Sequence, residues 1–377
     1  MRVSTRCQYL APNAALPATQ TMSHADVAFE DSSAKEPVAP AIRVRHLIHD
    51  YTARPRRKAL GPNQEQGAFA PNGAPAINDL NLDVDVGITF GVLGPNGSGK
   101  TSLFQILATL LRPTSGRVAV FGHDVSTDPD QARRLLGIVF QSPSLDAKLT
   151  ATENLLHQGH LYGLRGRPLR SRIEALLKHF GLIDRRRELV ENFSGGMRRR
   201  LELAKSLLHQ PRLLLLDEPT AGLDPGVRRD FWNELQRLRR LGNATVALTT
   251  HLIEEARHCD QLAILNQGRL IALDTPANLT ARINSHVVTV VPCELQDAST
   301  LVDSIAARFG PWPEGGAPRL VDGEIRLETP DGTVLAAELT RAFRTQIQRL
   351  SIGRPTLEDV FLHLTGHTLW DTPRTDA

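Results

Sequence analysis

This chain predicts an α/β fold with a mostly parallel sheet core, and three observations carry the prediction. A glycine-rich loop, Gly94-Pro95-Asn96-Gly97-Ser98-Gly99-Lys100-Thr101, lies directly after the apolar run Ile88 to Leu93 and directly before a segment of helical period. A second loop, Phe193-Ser194-Gly195-Gly196-Met197, precedes another helical segment. The run Leu213 to Leu216 is continuously apolar, as in strands covered on both faces of a parallel sheet, and it ends in Asp217-Glu218.

Each element follows in chain order. Residues 1 to 40 are rich in Ala, Pro, Ser and Thr, show no periodic apolar face and read as a disordered tail. Arg2 and Arg6, with no acid before Asp26, leave two further readings of this start open, an organelle transit peptide and an overextended start ahead of Met22. Ile42 to Ile48 alternates as a strand does, and Tyr51 follows it. Thr52 to Pro75, rich in Pro, Gly and Arg, is a surface loop, where inserted length costs little entropy. After the first glycine-rich loop, Ser102 opens a helix with Leu103, Ile106, Leu107 and Leu110 on its apolar face. Arg117 to Phe121 and Leu136 to Phe140 are strands, the second ending at Gln141.

Ala151 to Tyr162, with Leu155, Leu156 and Leu161 apolar, and Leu169 to Phe180, with Ile173, Leu176, Leu177 and Phe180 apolar, are two helices. The runs Arg185 to Arg187 and Arg198 to Arg200 are expected on solvated faces. Thr245 to Thr250 is a strand that delivers His251. Beyond Leu279 the composition changes, and a smaller α+β unit is expected over residues 286 to 366: strand Val287 to Val291, helix Leu301 to Phe309, strand Glu324 to Glu328, helix Val334 to Phe343 and a strand near Ile347 to Ile352. A last helix begins Thr356-Leu357-Glu358-Asp359, an approximate capping arrangement, with Val360, Phe361 and Leu364 on its apolar side. Residues 367 to 377 form a frayed tail.

The chemistry starts at the first loop, whose spacing is the strand, G-x-x-x-x-G-K-[ST], helix pattern. Glycines there let backbone N–H groups turn inward around phosphate oxygens, Lys100 reaches the β- and γ-phosphates, and Thr101 offers a hydroxyl to Mg²⁺. A helix dipole contributes only roughly 0.3 to 2 kcal/mol to such binding, so lysine and metal must supply most of the charge compensation.

In this order the two loops and the carboxylate strand resemble the ATP-binding cassette (ABC) ATPases, over about residues 41 to 285. The resemblance implies a P-loop NTPase of ABC type, its parallel core joined by an antiparallel β subdomain and, over residues 142 to 193, a helical subdomain. It implies ATP and Mg²⁺ as ligands, held by Gly94, Asn96, Gly97, Gly99, Lys100, Thr101 and Ser102 of one copy and by Ser194, Gly195 and Gly196 of a second copy of the same chain. By the same resemblance Tyr51 stacks on adenine, with Phe69 as a rival platform, and Asp224 of Gly222-Leu223-Asp224 runs across the dimer seam. Asp217, Thr101 and Gln141 serve the metal, Glu218 is the general base that polarises the attacking water, Gln141 is the lid glutamine, and His251 contacts the γ-phosphate. Met197, where many relatives carry glutamine, and Pro355 to Phe361 are similar to daunorubicin-resistance-type exporter ATPases. An integral membrane ABC-2 permease is then the expected partner, and the cytoplasmic face of the cell membrane the expected place.

Composition narrows the function classes. Lys plus Arg number 44 against 41 Asp plus Glu, too even for a nucleic-acid footprint, so no nucleic-acid partner is expected. Cys7, Cys259 and Cys293 lack metal-type spacing and read as free thiols of a reducing compartment. No stretch approaches the roughly 18 apolar residues of a membrane span. An ABC ATPase acting on ribosomes or DNA is the rival class, but neither a second cassette nor a coiled-coil insertion is visible. A non-hydrolysing ATP-binding regulator is disfavoured by Glu218 and His251.

Overall fold

The structure, a computed structural model, describes residues 39–52, 74–242, 244–283, 286–312 and 317–369. The expected tail up to residue 38, Phe69 with most of the Thr52 to Pro75 loop, and residues 370–377 lie outside the described residues.

Strand β1 (Ile42–His49) buries Ile42, Val44, Leu47 and His49, the period-two pattern of a sheet with one face on the core, interrupted once where Arg45 and His46 are both exposed and the register shifts at His46, φ 48°. It pairs antiparallel with β2 (Ile77–Val84). Strand β3 (Thr89–Leu93) buries all five residues and runs into α1 (Lys100–Leu107). That helix starts two residues before Ser102 and ends before Leu110, which is 62% exposed rather than on the apolar face expected of it. Thr109, in the left-handed region at φ 62°, turns the chain out of the helix at this point. Strands β4 (Ser115–Val120) and β5 (His123–Asp124) complete the first sheet, in the order β2-β1-β4-β5.

Helix α2 (Pro129–Leu135) leads into β6 (Leu136–Val139). Helix α3 (Ala151–Leu161) opens on a capping box between Thr150 and Glu153, and α4 (Gly166–His179) buries Leu169, Ile173 and Leu177 against it. Leu161, the last residue of α3, is 82% exposed where the sequence pattern places it inside. Then come α5 (Gly195–Leu207), β7 (Leu213–Asp217), α6 (Pro225–Gly242), β8 (Thr245–Thr250), α7 (Ile253–Ala256), the hairpin of β9 (Gln261–Asn266) and β10 (Arg269–Asp274), and α8 (Pro276–Ala281).

The central sheet has the order β10-β9-β3-β8-β7-β6, and all its pairings are parallel except β9 with β10. The loops that leave β3, β8, β7 and β6 therefore emerge side by side at the carboxyl edge, where ligands of open α/β sheets bind.

A third, antiparallel sheet, β12-β13-β11-β14, is made by β11 (His286–Pro292), β12 (Arg319–Val321), β13 (Glu324–Thr329) and β14 (Ile347–Gly353), with α9 (Ala298–Phe309) and α10 (Gly332–Ala342). Val288, Val290, Leu301, Ile305, Ile325, Leu327, Leu335 and Leu339 form its own core. The last helix, α11 (Leu357–Thr365), carries a Thr356/Asp359 capping box and packs elsewhere. Its Leu357, Val360 and Phe361 join Leu93, Leu262 and Ile264 of the central sheet, while Arg326 reaches its Glu358 at 2.9 Å from the third sheet. Leu364 is 39% exposed, off the apolar side expected of it.

Candidate functional site

The site is assembled at the carboxyl edge of the central sheet. The loop after β3 has the shape of an anion cradle because two of its glycines stand where no Cβ fits. A Cβ on Gly94 would lie 2.3 Å from the carbonyl oxygen of Leu265 and 2.6 Å from Ser98 Oγ; on Gly99, at φ 98°, it would lie 2.4 Å from the carbonyl oxygen of Ala76. Asn96 and Gly97 are exposed at the lip, and Ser98 Oγ is buried with no hydrogen-bond partner among the described residues. Lys100 Nζ donates to the carbonyls of Gly94 (2.7 Å) and Pro95 (2.9 Å), which folds the ammonium over the loop. Burial pushes its pKa down, and Glu218 and Asp217 push back. The unsatisfied hydroxyl, the open cradle and a buried cation together fit a polyphosphate.

Two carboxylates close the other side. Asp217 is 3% exposed at the end of β7, and burial pushes its pKa up against the opposing hydrogen bonds from Thr249 and Thr101. Thr101 and Asp217 therefore sit together as hard oxygen donors of the kind Mg²⁺ prefers. Glu218 follows at φ 45°, a left-handed conformation that costs a non-glycine residue of order 1–3 kcal/mol and persists only where its surroundings hold it. Gln141 Nε2, from the loop after β6, donates to Glu218 Oε2 at 3.2 Å, and His251 Nδ1, at the end of β8, lies 3.1 Å from Glu218 Oε1. The His251 contact holds the Glu218 carboxyl below its ordinary pKa against the effect of burial. Two residues, one 77 positions before Glu218 and one 33 positions after it, thus meet on its carboxylate.

The remaining candidates lie around this centre. Tyr51 sets its hydroxyl 2.9 Å from Ser102 Oγ and its ring edge-on to His49, so the ring stands beside the first turn of α1. Ser194 caps α5 by accepting the Met197 N–H at 3.3 Å, is exposed, and is followed by Gly195 and Gly196 in the first helical turn. Asp224 is exposed just before α6. No hydrogen bond among the described residues joins Ser194, Gly195, Gly196 or Asp224 to the phosphate loop within one chain.

Two residues escape a reading of the sequence. Thr249 Oγ1 accepts the Glu218 N–H at 2.9 Å and donates to Asp217 Oδ1, so one hydroxyl sets both carboxylates. Alternation within an apolar strand gives no hint of that use. Arg199, read as a solvated residue of an arginine triplet, is 8% exposed. Its guanidinium donates to the carbonyls of Pro219 (2.6 Å), Phe140 (2.8 Å) and Glu218 (3.3 Å) and to Glu202 Oε2 (2.8 Å). A helix carrying three consecutive arginines must turn one of them inward when its buried face falls at that position, and the sequence signal for it is Glu202 three residues on.

Comparison with known proteins shows the family of the chain. The ABC transporter family model matches residues 77–221. A daunorubicin/doxorubicin resistance ATP-binding protein of Streptomyces peucetius is 39% identical over 309 residues, 81% of this chain and 92% of that protein. The chain belongs to the ABC transporter ATP-binding family. This ABC ATPase is also 37% identical over 300 residues to Nod factor export ATP-binding protein I of Rhizobium johnstonii, covering 79% of this chain and 92% of that one. An ATP-binding cassette solved as a dimer in a post-hydrolysis state, bound to ADP and Pi, matches the ABC ATPase with a TM-score of 0.52 and 26% identity, over 62% of this chain and 98% of that chain. The cbiO1 structure from Clostridium perfringens, at 23% identity and a TM-score of 0.55 over 72% of this chain and 96% of that one, shares the fold. The ABC ATPase is thus a P-loop NTPase that binds and hydrolyses ATP. Among its described residues no helix is long and apolar enough to cross a membrane.

Proposed function

We propose that this ABC ATPase is the ATP-driven subunit of an exporter, energising a separately encoded integral membrane permease of the ABC-2 kind at the cytoplasmic face of the membrane. The names of its relatives support export: drug resistance in one, Nod factor export in another. The reading of the site is carried by a single observation, the convergence of Gln141 and His251 on Glu218 beside the Lys100 cradle.

In this reading Gly94, Asn96, Gly97, Gly99 and Ser102 line the triphosphate, Lys100 neutralises its β- and γ-oxygens, and Tyr51 carries the adenine face. Thr101, Asp217 and Gln141 would hold Mg²⁺, which on binding would neutralise charge on the phosphates. Glu218, kept ionised by His251, accepts a proton from the water that attacks the γ-phosphate, and its left-handed backbone aims the carboxylate out of the strand toward that water. Gln141 orients the same water from the opposite oxygen of Glu218. Ser194 and Gly195, exposed, and the half-buried Gly196, all separate from the cradle of their own chain, would reach the nucleotide of a second copy, with Asp224 at the seam. Closure then favours the ATP-bound dimer, and hydrolysis releases it, which is the differential affinity a permease needs in order to be switched.

Glu218→Gln tests the assignment: the variant should bind ATP, form a dimer of doubled mass by light scattering, and turn over at least 100-fold more slowly. Wild-type turnover in that variant would overturn the assignment.

A further inference from the structure

We infer that Arg199 and Glu202 are positioning residues that tie the N-terminal end of α5, where Ser194 sits, to both groups that handle the attacking water in the same chain. The inference rests on the site reading proposed above and assigns that site a regulatory element.

The argument begins with what the buried guanidinium touches. Of its hydrogen bonds, one goes to the Glu202 carboxylate and the rest to main-chain oxygens: Phe140, the residue before Gln141, and the consecutive residues Asp217 (3.5 Å), Glu218 and Pro219. Glu202, 3% exposed, passes the link on through its other oxygen, which accepts the Ser144 N–H at 2.8 Å. Lys205, one turn further, donates to the Ser144 carbonyl at 2.6 Å. The same face of α5 therefore grips the loop around Gln141 at both ends and the backbone of Glu218 from its carbonyl side. Thr249 holds Glu218 from its N–H side.

The grip matters because Glu218 is strained. A left-handed glutamate relaxes unless main-chain bonds on both sides forbid it. Removing the Arg199 bonds at Glu218 O and Pro219 O leaves the Glu218 backbone to the Ala221 N–H of its own turn, at 3.1 Å, and the Thr249 hydroxyl, and frees the carboxylate to shift relative to the water. A displacement of about 1 Å at a reacting group can cost about 100-fold in rate. Because Arg199 lies on the helix capped by Ser194, any shift of α5 that accompanies engagement of the other copy's nucleotide is delivered to Gln141 and Glu218 of its own chain. A buried arginine kept only for stability would show none of this coupling.

The test uses the full chain with Arg199→Lys and Glu202→Gln, each also combined with Glu218→Gln. Lysine keeps the charge and much of the volume but cannot span four carbonyls. Arg199→Lys should lower kcat roughly 10- to 100-fold with the KM for ATP changed less than about threefold. Glu202→Gln should lower kcat less, since its amide still reaches Ser144 or Arg199. In the Glu218→Gln background neither change should slow residual turnover further, because the group they position is already disabled. Equal losses in both backgrounds, or a rise in KM that accounts for the whole effect, would mark the pair as structural and overturn the inference. If Arg199→Lys does not fold, Glu202→Gln alone decides by the same two readouts. Should Glu218→Gln lose activity while Arg199→Lys and Glu202→Gln both keep wild-type kcat, this inference falls and the assignment of Glu218 stands; wild-type turnover in Glu218→Gln would remove the assignment itself.

Discussion

Replacing Thr249 with valine removes one hydroxyl, keeps the shape, and strips two buried groups of their partner. The residue is 0% exposed, its oxygen accepts the Glu218 N–H at 2.9 Å, and it donates to Asp217, itself 3% exposed. Leaving a buried donor or acceptor unpaired costs about 1–3 kcal/mol, with the upper end for the charged partner. Thr249→Val should therefore lose about 2–5 kcal/mol, read from the midpoint of urea denaturation of the nucleotide-free protein. The loss has a pH signature whose sign follows from Asp217. That carboxyl already titrates above its ordinary value because burial outweighs its hydrogen bonds, so its ionised form costs stability, and the cost sets in as pH rises from its unfolded pKa through its folded one. Without Thr249 the folded pKa rises further. The gap between variant and wild type should thus be smallest in acid, where both carry a protonated Asp217, and should widen and then level off above the higher folded pKa. A loss under about 0.5 kcal/mol, or a gap that shrinks as pH rises, would refute the role given to this hydroxyl.

His251→Ala should raise the Glu218 pKa, since the contact with His251 is the largest cause of its depression. The acidic limb of the ATPase pH profile would then move to higher pH, because the base must be ionised to act; a limb that stays in place would contradict the pairing. Tyr51→Phe removes the 2.9 Å contact with Ser102 but keeps the ring, so ATP affinity should fall less than about threefold. Tyr51→Ala should cost about 1–3 kcal/mol of affinity in an ATP titration, the range for base–aromatic stacking, and equal losses in the two variants would argue against stacking.

Much of the site was legible because phosphate chemistry constrains backbone as well as side chains. Gly94 and Gly99 stand in the sequence where the structure leaves no room for a Cβ, and Lys100 and Thr101 follow at fixed offsets. The carboxylate pair was legible for a similar reason: four consecutive leucines ending in Asp217-Glu218 describe a strand buried on both faces that stops at a polar edge. Helix ends were read less well. Leu110, Leu161 and Leu364 have the right period but fall in or beyond the last turn, where the chain has left the surface it was packing against.

What this sequence determined by itself was the set of local devices: the loop, the cap at Thr356, the buried strands and the identity of the residues they present. Only the tertiary structure decided that Gln141 and His251 share one carboxylate, that Arg199 turns inward while its triplet suggests solvent, and that α11 packs on the central sheet rather than in the core of the unit it follows. The physical reason is range. A cap or a phosphate turn is settled by bonds within a few residues, whereas a guanidinium finds its carbonyls only after strands far apart in sequence have paired into the order β3-β8-β7-β6.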